Sequence, residues 1–100
     1  MFENLFSMQQ KICVFTGGYG GLGTFMMAQG FLEAEAKHVY INGRKAQACI
    51  AAAEELSKFG ECIALPGDAS TSEGLSQLVE EINKREDHID VLVNNAGTAW

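Results

Sequence analysis

Short apolar runs alternate along this chain with longer stretches in which apolar residues recur every three or four positions. Residues 11–16 read as a first strand. Leu22, Phe25, Met26 and Leu32 then mark a helix from residue 22 to about residue 33. Residues 38–42, rich in β-branched and aromatic side chains, form a second strand. An alanine-rich helix is expected over residues 45–59, stopped by Gly60. Residues 61–65 make a third strand, closed by Pro66-Gly67. Ser70-Thr71-Ser72-Glu73 has capping-box form and opens a third helix whose Leu75, Leu78, Val79 and Ile82 share one face. Residues 89–93 are the fourth strand.

Strands that alternate with helices through short connections specify an α/β domain with a doubly wound parallel sheet and right-handed crossovers. About four strands in the order β-α-β-α-β-α-β are expected, with no internal repeat, linker or low-complexity tract. The hundred residues then make one small domain, residues 1–10 being an N-terminal extension. Val91-Leu92-Val93 is apolar on both faces, as a strand is when helices cover both sides. Strand four is expected beside strand one, which opens a ligand-binding crevice at the carboxyl edge.

The connection after strand one carries chemistry. Thr16-Gly17-Gly18-Tyr19-Gly20-Gly21-Leu22-Gly23 joins a strand to a helix, the arrangement that cradles a pyrophosphate. Gly17 allows the tight turn, Gly21 lets the backbone approach the phosphates, and Gly23 lets the helix lie against the strand. The first helical N–H groups and the positive end of the helix dipole face the anion. There is no Gly-Lys-Ser/Thr, which excludes a nucleoside triphosphate P-loop.

In an NAD site an acid at the end of strand two takes the ribose hydroxyls, roughly twenty residues beyond the glycines. Here that region reads Tyr40-Ile41-Asn42-Gly43-Arg44-Lys45, with no acid. A carboxylate there would repel a 2′-phosphate, whereas a planar guanidinium can hold one in a fork. Arg44 is therefore the expected main ligand of a 2′-phosphate, with Lys45 or Asn42 assisting. A merely solvated Arg at a helix start would stand where the dipole disfavours a cation. The missing acid also counts against a flavin or S-adenosylmethionine site. Asp68, after strand three, is placed to accept from an adenine amino group while Ala69 covers the ring. Its alternative is a helix cap, which Ser70 could also supply. Asn94-Asn95-Ala96-Gly97 closes strand four: its amides can tie neighbouring loops together, and Ala96-Gly97 leaves space for a ribose and a nicotinamide. An Asn-rich turn that merely ends a strand is the alternative.

Composition narrows the class. Thirteen acids against seven bases give a net charge of −6, spread along the chain, which argues against nucleic acid or an anionic membrane as partner. At 47% hydrophobic residues the chain can build a core. Cys13, Cys49 and Cys62 share no metal-ligand or redox spacing. Cys13 and Cys62 read as small buried hydrophobes, which implies a reducing compartment, and no metal is expected. The N-terminus lacks a basic leader and no apolar stretch spans a bilayer, so a soluble cytoplasmic protein is expected.

Three elements together, Thr16-Gly17-x-x-x-Gly21-x-Gly23, Asp68 and Asn94-Asn95-Ala96-Gly97, resemble the short-chain dehydrogenase/reductase family over nearly the whole stretch from Lys11 to Trp100. The resemblance implies a Rossmann-type domain that binds NAD(P) and transfers hydride to or from a carbonyl or alcohol carbon, and Gly43-Arg44 matches the NADP(H)-preferring members. Within the family, Ala28-Gln29-Gly30-Phe31-Leu32-Glu33-Ala34 and the residues from Asn94 to Trp100 look like the 3-oxoacyl-acyl-carrier-protein reductases of the rhamnolipid-biosynthesis type. By resemblance, Gly17, Tyr19, Gly20, Gly21, Leu22 and Gly23 line the pyrophosphate and ribose. Arg44 then takes the 2′-phosphate, Asp68 and Ala69 the adenine, and Asn95, Ala96 and Gly97 the nicotinamide-side ribose.

Two departures from the family pattern stand out. Tyr19-Gly20 occupies the place where many NADP-type members carry a base, so Arg44 must do more of the discrimination. Glu35 stands where the family usually has glycine, at a cost of about 1 kcal/mol in the left-handed region, and the segment looks slightly longer than usual, so this loop is expected to be rebuilt or locally mobile. The family's catalytic Ser, Tyr-x-x-x-Lys and Asn would lie beyond Trp100. Tyr19 and Tyr40, the only tyrosines, have no Lys four residues on. His38 and His88 sit at strand entrances and read as solvated and incidental. The expectation is the cofactor-binding part of an NADPH-dependent ketoreductase, truncated before the catalytic half and inactive alone. Its full-length form would act on a small carbonyl or alcohol substrate as a homodimer or homotetramer. The rivals are a non-catalytic dinucleotide-binding sensor module and an epimerase or dehydratase on the same fold.

Overall fold

The computed structural model describes residues 9–16 and 22–94, with side chains from residue 25 onward in the second stretch. Four parallel strands, β1 (Ile12–Thr16), β2 (His38–Ile41), β3 (Cys62–Ala64) and β4 (Val91–Asn94), pair in the order β3-β2-β1-β4. The helices α1 (Leu22–Glu33), α2 (Ala46–Leu56) and α3 (Ser72–Arg85) return the chain between them. The expected β-α-β-α-β-α-β order and the return of strand four beside strand one both hold.

Strand alternation sorts the core onto the two sheet faces. Cys13 and Phe15 of β1 join Val39 and Ile41 of β2, and Ala28 and Leu32 of α1 with Cys49, Ala53 and Leu56 of α2 close over them. Ile12, Val14 and Tyr40 point the other way, where Leu78 and Ile82 of α3 cover them. All five β1 residues are buried, as befits a strand with neighbours on both sides and helices on both faces.

Several expectations need correction. In α1 the contact is made by Ala28 and Leu32, flanked by Phe25 and Phe31, while Met26 is 60% exposed. One residue past Phe25, Met26 is turned about 100° off the buried stripe. The second helix ends at Leu56 rather than at residue 59. There the Ser57 hydroxyl donates to the Ala53 carbonyl at 2.7 Å, and the Phe59 N–H reaches only three residues back, to Leu56. The third helix is capped by Thr71, whose Oγ1 accepts from the Gly74 N–H at 3.0 Å. The Ser70 hydroxyl is engaged by Asp68 instead, so the cap falls one residue later than the box predicts, and glycine, not glutamate, holds its third position. On α3 Leu78 and Ile82 are buried, whereas Leu75 and Val79 are about half exposed (47% and 48%). Leu92 of β4 is exposed beside them. Among the described residues β4 is thus an edge strand with one apolar face uncovered, not the doubly covered strand that its composition suggests.

The exit of α1 adopts the left-handed cap despite the non-glycine residue. Glu35 has φ 71°, its N–H donates to the Leu32 carbonyl at 2.9 Å, and the Ala36 N–H donates to the Phe31 carbonyl at 3.1 Å. This is the Schellman pair of bonds. The loop is held rather than rebuilt, because the two carbonyls that end α1 are both satisfied by it. A bridge from Gln9 to Ala36 and a bond from Gln9 Nε2 to Glu35 at 3.1 Å fasten its outer side.

His38 is not incidental. Its Nδ1 meets Glu86, the residue capping the end of α3, and its Nε2 lies 3.2 Å from Glu61, just ahead of β3. The Tyr40 hydroxyl donates to the same Glu86 carboxylate at 2.5 Å. Burial pushes the Glu86 carboxyl up, but the hydrogen bonds from Tyr40 and His38 outweigh it and hold the group below its ordinary value. Burial, then the bond to Glu86, raises the Tyr40 phenol well above its usual range. Four side chains thereby clamp the end of α3 to β2 and β3. His88 does remain exposed, 3.1 Å from Asp90. Asp90 accepts from the Ile12 N–H at 2.8 Å and ties the approach to β4 to the start of β1.

Glu35→Gly relieves the left-handed strain and should stabilise the fold by about 1 kcal/mol, read as a rise in the urea midpoint at constant slope. The depressed carboxyl of Glu86 contributes stability that is present above its unfolded value and lost as pH falls through its folded one. Glu86→Gln should accordingly flatten the acid limb of a stability–pH curve below roughly pH 4.3, the ordinary glutamate value.

Candidate functional site

The parallel sheet brings the ends of β1, β2, β3 and β4 to one edge, with the strand order reversing between β1 and β4. At that reversal Thr16 and Asn94 are register partners, and the Thr16 hydroxyl donates to Asn94 Oδ1 at 2.9 Å. Asn94 thus joins the end of β4 to the end of β1 by a side-chain bond, rather than tying loops through backbone hydrogen bonds as expected. Gly17, Tyr19, Gly20 and Gly21 of the glycine turn, and Asn95, Ala96 and Gly97, lie outside the described residues. Leu22 and Gly23 form the first turn of α1.

The loop after β2 runs Asn42-Gly43-Arg44-Lys45 into α2, whose first turn carries no acid. Gly43 is buried, while Arg44 and the cap residue Lys45 are exposed. Arg44 makes no ion pair among the described residues. Asn42, expected to assist at a phosphate, does not face solvent: it is 2% exposed, and its amide donates to the carbonyls of Leu65 (2.8 Å) and Gly67 (3.2 Å). A side chain buried against the β3 loop cannot also reach a surface anion, so Asn42 is not a phosphate ligand.

The loop after β3 lies alongside. The Leu65 N–H donates to the Ile41 carbonyl at 2.8 Å and the Gly67 N–H to the Gly43 carbonyl at 2.9 Å, so the two exits stay paired beyond the strands. Asp68, partly buried, accepts at Oδ1 from both the hydroxyl (2.5 Å) and the N–H (3.0 Å) of Ser70. These two bonds, and the Arg44 charge across the gap, hold its carboxyl below the ordinary value. Neither Asp68 nor Ser70 caps α3, because Thr71 does. The cap alternative for Asp68 is thereby removed, and Oδ2 has no hydrogen bond among the described residues. Ala69 sits partly buried next to it.

Gly74, a position with no role foreseen from the sequence, fixes this loop. A Cβ there would come within 1.9 Å of the Asp68 carbonyl oxygen, so the loop folds onto the first turn of α3 only because that position has no side chain. An isolated glycine inside a helical pattern was the available signal. No comparable signal marked Glu86, whose partners lie 46 and 48 positions away.

An open groove of about 170 Å³ runs down the α3 side of this edge, lined by Val14, Thr16, Ala69, Leu78, Leu92 and their neighbours. The cysteines are distant in character: Cys13, Cys49 and Cys62 are buried and form no disulfide. Burial pushes the thiols of Cys13 and Cys62 up to about 11 and about 12. They stay protonated and serve as packing, as expected for Cys13 and Cys62. Among the described residues no group of three His, Cys, Asp or Glu side chains could hold a metal, and no helix is long and apolar enough to cross a membrane.

Parallel strands covered on both sides by helices, with a crevice at the strand-order reversal, define a Rossmann-type α/β domain. The family model for the short chain dehydrogenases matches residues 11–100, and the chain belongs to that family. It is 44% identical over 95 residues to the rhamnolipids biosynthesis 3-oxoacyl-[acyl-carrier-protein] reductase of Pseudomonas aeruginosa, covering 95% of this chain and 36% of the relative. Among solved structures, the Pseudomonas aeruginosa RhlG/NADP active-site complex superposes with a TM-score of 0.82 at 40% identity, over 94% of this chain and 37% of that one. The L-sorbose reductase of Gluconobacter frateurii complexed with NADPH and L-sorbose gives a TM-score of 0.84 at 31% identity, over 95% and 36%. The chain thus spans little more than a third of the length of these relatives.

Gly74→Ala should lower stability by about 1–3 kcal/mol in urea unfolding, the usual cost of forcing a backbone shift by overpacking. An unchanged midpoint would mean that the Asp68 loop yields freely.

Proposed function

We propose that the carboxyl edge of this sheet binds NADP(H), and that the chain is the coenzyme-binding portion of an NADPH-dependent ketoreductase. The observation that carries the reading is Arg44: exposed, at the exit of β2, with no acid from Asn42 to Lys45, and close enough to Asp68 for its charge to be felt there. Such a guanidinium fits a 2′-phosphate, which a carboxylate at the same place would repel. The family and the NADP and NADPH named for its structural relatives support this choice.

In this reading Arg44, helped by Lys45, holds the 2′-phosphate. Asp68 accepts from the adenine amino group through the oxygen that Ser70 does not use, and Ala69 lies along the ring. Gly17, Tyr19, Gly20, Gly21, Leu22 and Gly23 accommodate the pyrophosphate and its ribose, where backbone N–H groups and the start of α1 face the anion. Asn95, Ala96 and Gly97 border the nicotinamide-side ribose, next to the Thr16–Asn94 bond that joins β1 to β4. Bound coenzyme supplies a hydride to a carbonyl carbon. The full-length enzyme would use it on a ketone such as a 3-oxoacyl thioester, in keeping with the relative at 44% identity. No Tyr-x-x-x-Lys occurs in the hundred residues, and in this reading the proton donor for the carbonyl oxygen belongs to a part of the full-length enzyme outside them.

Titration of the chain followed by nicotinamide fluorescence tests the assignment. Arg44→Ala should weaken NADPH roughly 10- to 100-fold, the worth of one charge-assisted contact, with little effect on NADH. An unchanged NADPH:NADH ratio would remove Arg44 from the site. The same hundred residues should bind NADPH without oxidising it in the presence of a 3-oxoacyl thioester, and turnover would mean that they do carry a proton donor.

A further inference from the structure

We infer that Asn42 is a positioning residue for coenzyme discrimination, acting by locking the Arg44 loop to the Asp68 loop. The inference builds on the reading of Arg44 as the 2′-phosphate ligand. Asn42 stands at the junction of three strands. Its backbone N–H donates to the Phe15 carbonyl of β1 at 2.8 Å, and its side-chain nitrogen donates to two carbonyls of the β3 exit, those of Leu65 and Gly67. Both amide hydrogens are thereby used, and since both neighbours are carbonyl oxygens only the nitrogen end can face them. Arg44 follows two residues later and Asp68 follows Gly67 directly. The guanidinium that would meet the sugar phosphate and the carboxylate that would meet the base are thus carried on loops that this amide ties together beside their backbone bonds.

The residue type suits the task. A carboxylate of the same shape has no hydrogen to donate to two carbonyls and would set a negative charge beside the phosphate. An alkyl side chain would leave the buried carbonyl of Leu65 and the partly buried one of Gly67 without this donor. A neutral amide joins the loops and leaves the local field to Arg44. Backbone bonds between Gly67 and Gly43 and between Leu65 and Ile41 keep the loops adjacent without it. Its loss should therefore loosen their spacing rather than dismantle the sheet.

The test is calorimetric binding of 2′,5′-ADP and of 5′-AMP to the chain, wild type, Asn42→Ala, Arg44→Ala and the double variant, with amide exchange at Gly67 measured without ligand. Wild type should prefer 2′,5′-ADP, and Asn42→Ala should cut that preference roughly tenfold while 5′-AMP binding falls by less than about threefold. In the Arg44→Ala background Asn42→Ala should leave the ratio unchanged, because the two act through one contact. Gly67 exchange should quicken in Asn42→Ala. If Asn42→Ala does not fold, Asn42→Ser, which keeps one donor on a shorter arm, is judged by the same ratio. A ratio untouched in the Asn42 variants, or equal losses for both ligands, while Arg44→Ala still abolishes the preference, would make Asn42 merely structural and overturn the inference alone. A wild-type chain with no preference, or one that Arg44→Ala leaves intact, would overturn the coenzyme reading and this inference with it.

Discussion

All four strands run in one direction, so each must be carried back across the sheet by a helix before the next can pair. That constraint shapes most of the molecule. It buries β1 between β2 and β4 with helices on both faces, which is why Ile12–Thr16 is apolar until its last residue, a hydroxyl that β4 satisfies. It also collects every strand's carboxyl end at one edge and every amino end at the other.

The two edges are built for different work. At the amino edge polar groups close on each other: His38 between Glu61 and Glu86, Tyr40 on Glu86, and Asp90 on the backbone of Ile12. These contacts fasten the end of α3 and the approach to β4 onto the strands. At the carboxyl edge the amide of Asn42 and the hydroxyls of Thr16 and Thr71 are neutral donors and acceptors, while the charges of Arg44 and Asp68 stand on adjacent loops, Asp68 bonded through one carboxylate oxygen to Ser70. Arg44, which makes no ion pair among the described residues, can therefore meet an anionic ligand without breaking these bonds.

Much of this was legible in the sequence, and the failures share a cause. The element order, the place of strand four and the acid-free exit of strand two emerge from local patterns, because apolar period and turn residues act over a few positions. Side-chain partners depend on the tertiary arrangement and escape such a reading. His38 looked incidental because Glu86 and Glu61 are distant in sequence. Asn42 looked like a ligand because its acceptors lie on another strand's loop. Leu75, Val79 and Leu92 looked like core because periodicity shows which face is apolar, not what covers it. Glu35 showed the reverse error: its conformational penalty was foreseen, but the two carbonyls of α1 that keep the left-handed turn in place were not.

The most direct measurement is an NMR titration of the isotopically labelled chain with NADPH, following backbone amides. Coenzyme binding at the carboxyl edge requires shifts at Arg44, Asp68 and Ala69 together with the glycines that precede α1, and none at His38, Glu61 or Glu86. Shifts confined to the amino edge, or to the apolar face around Leu75 and Leu92, would contradict it.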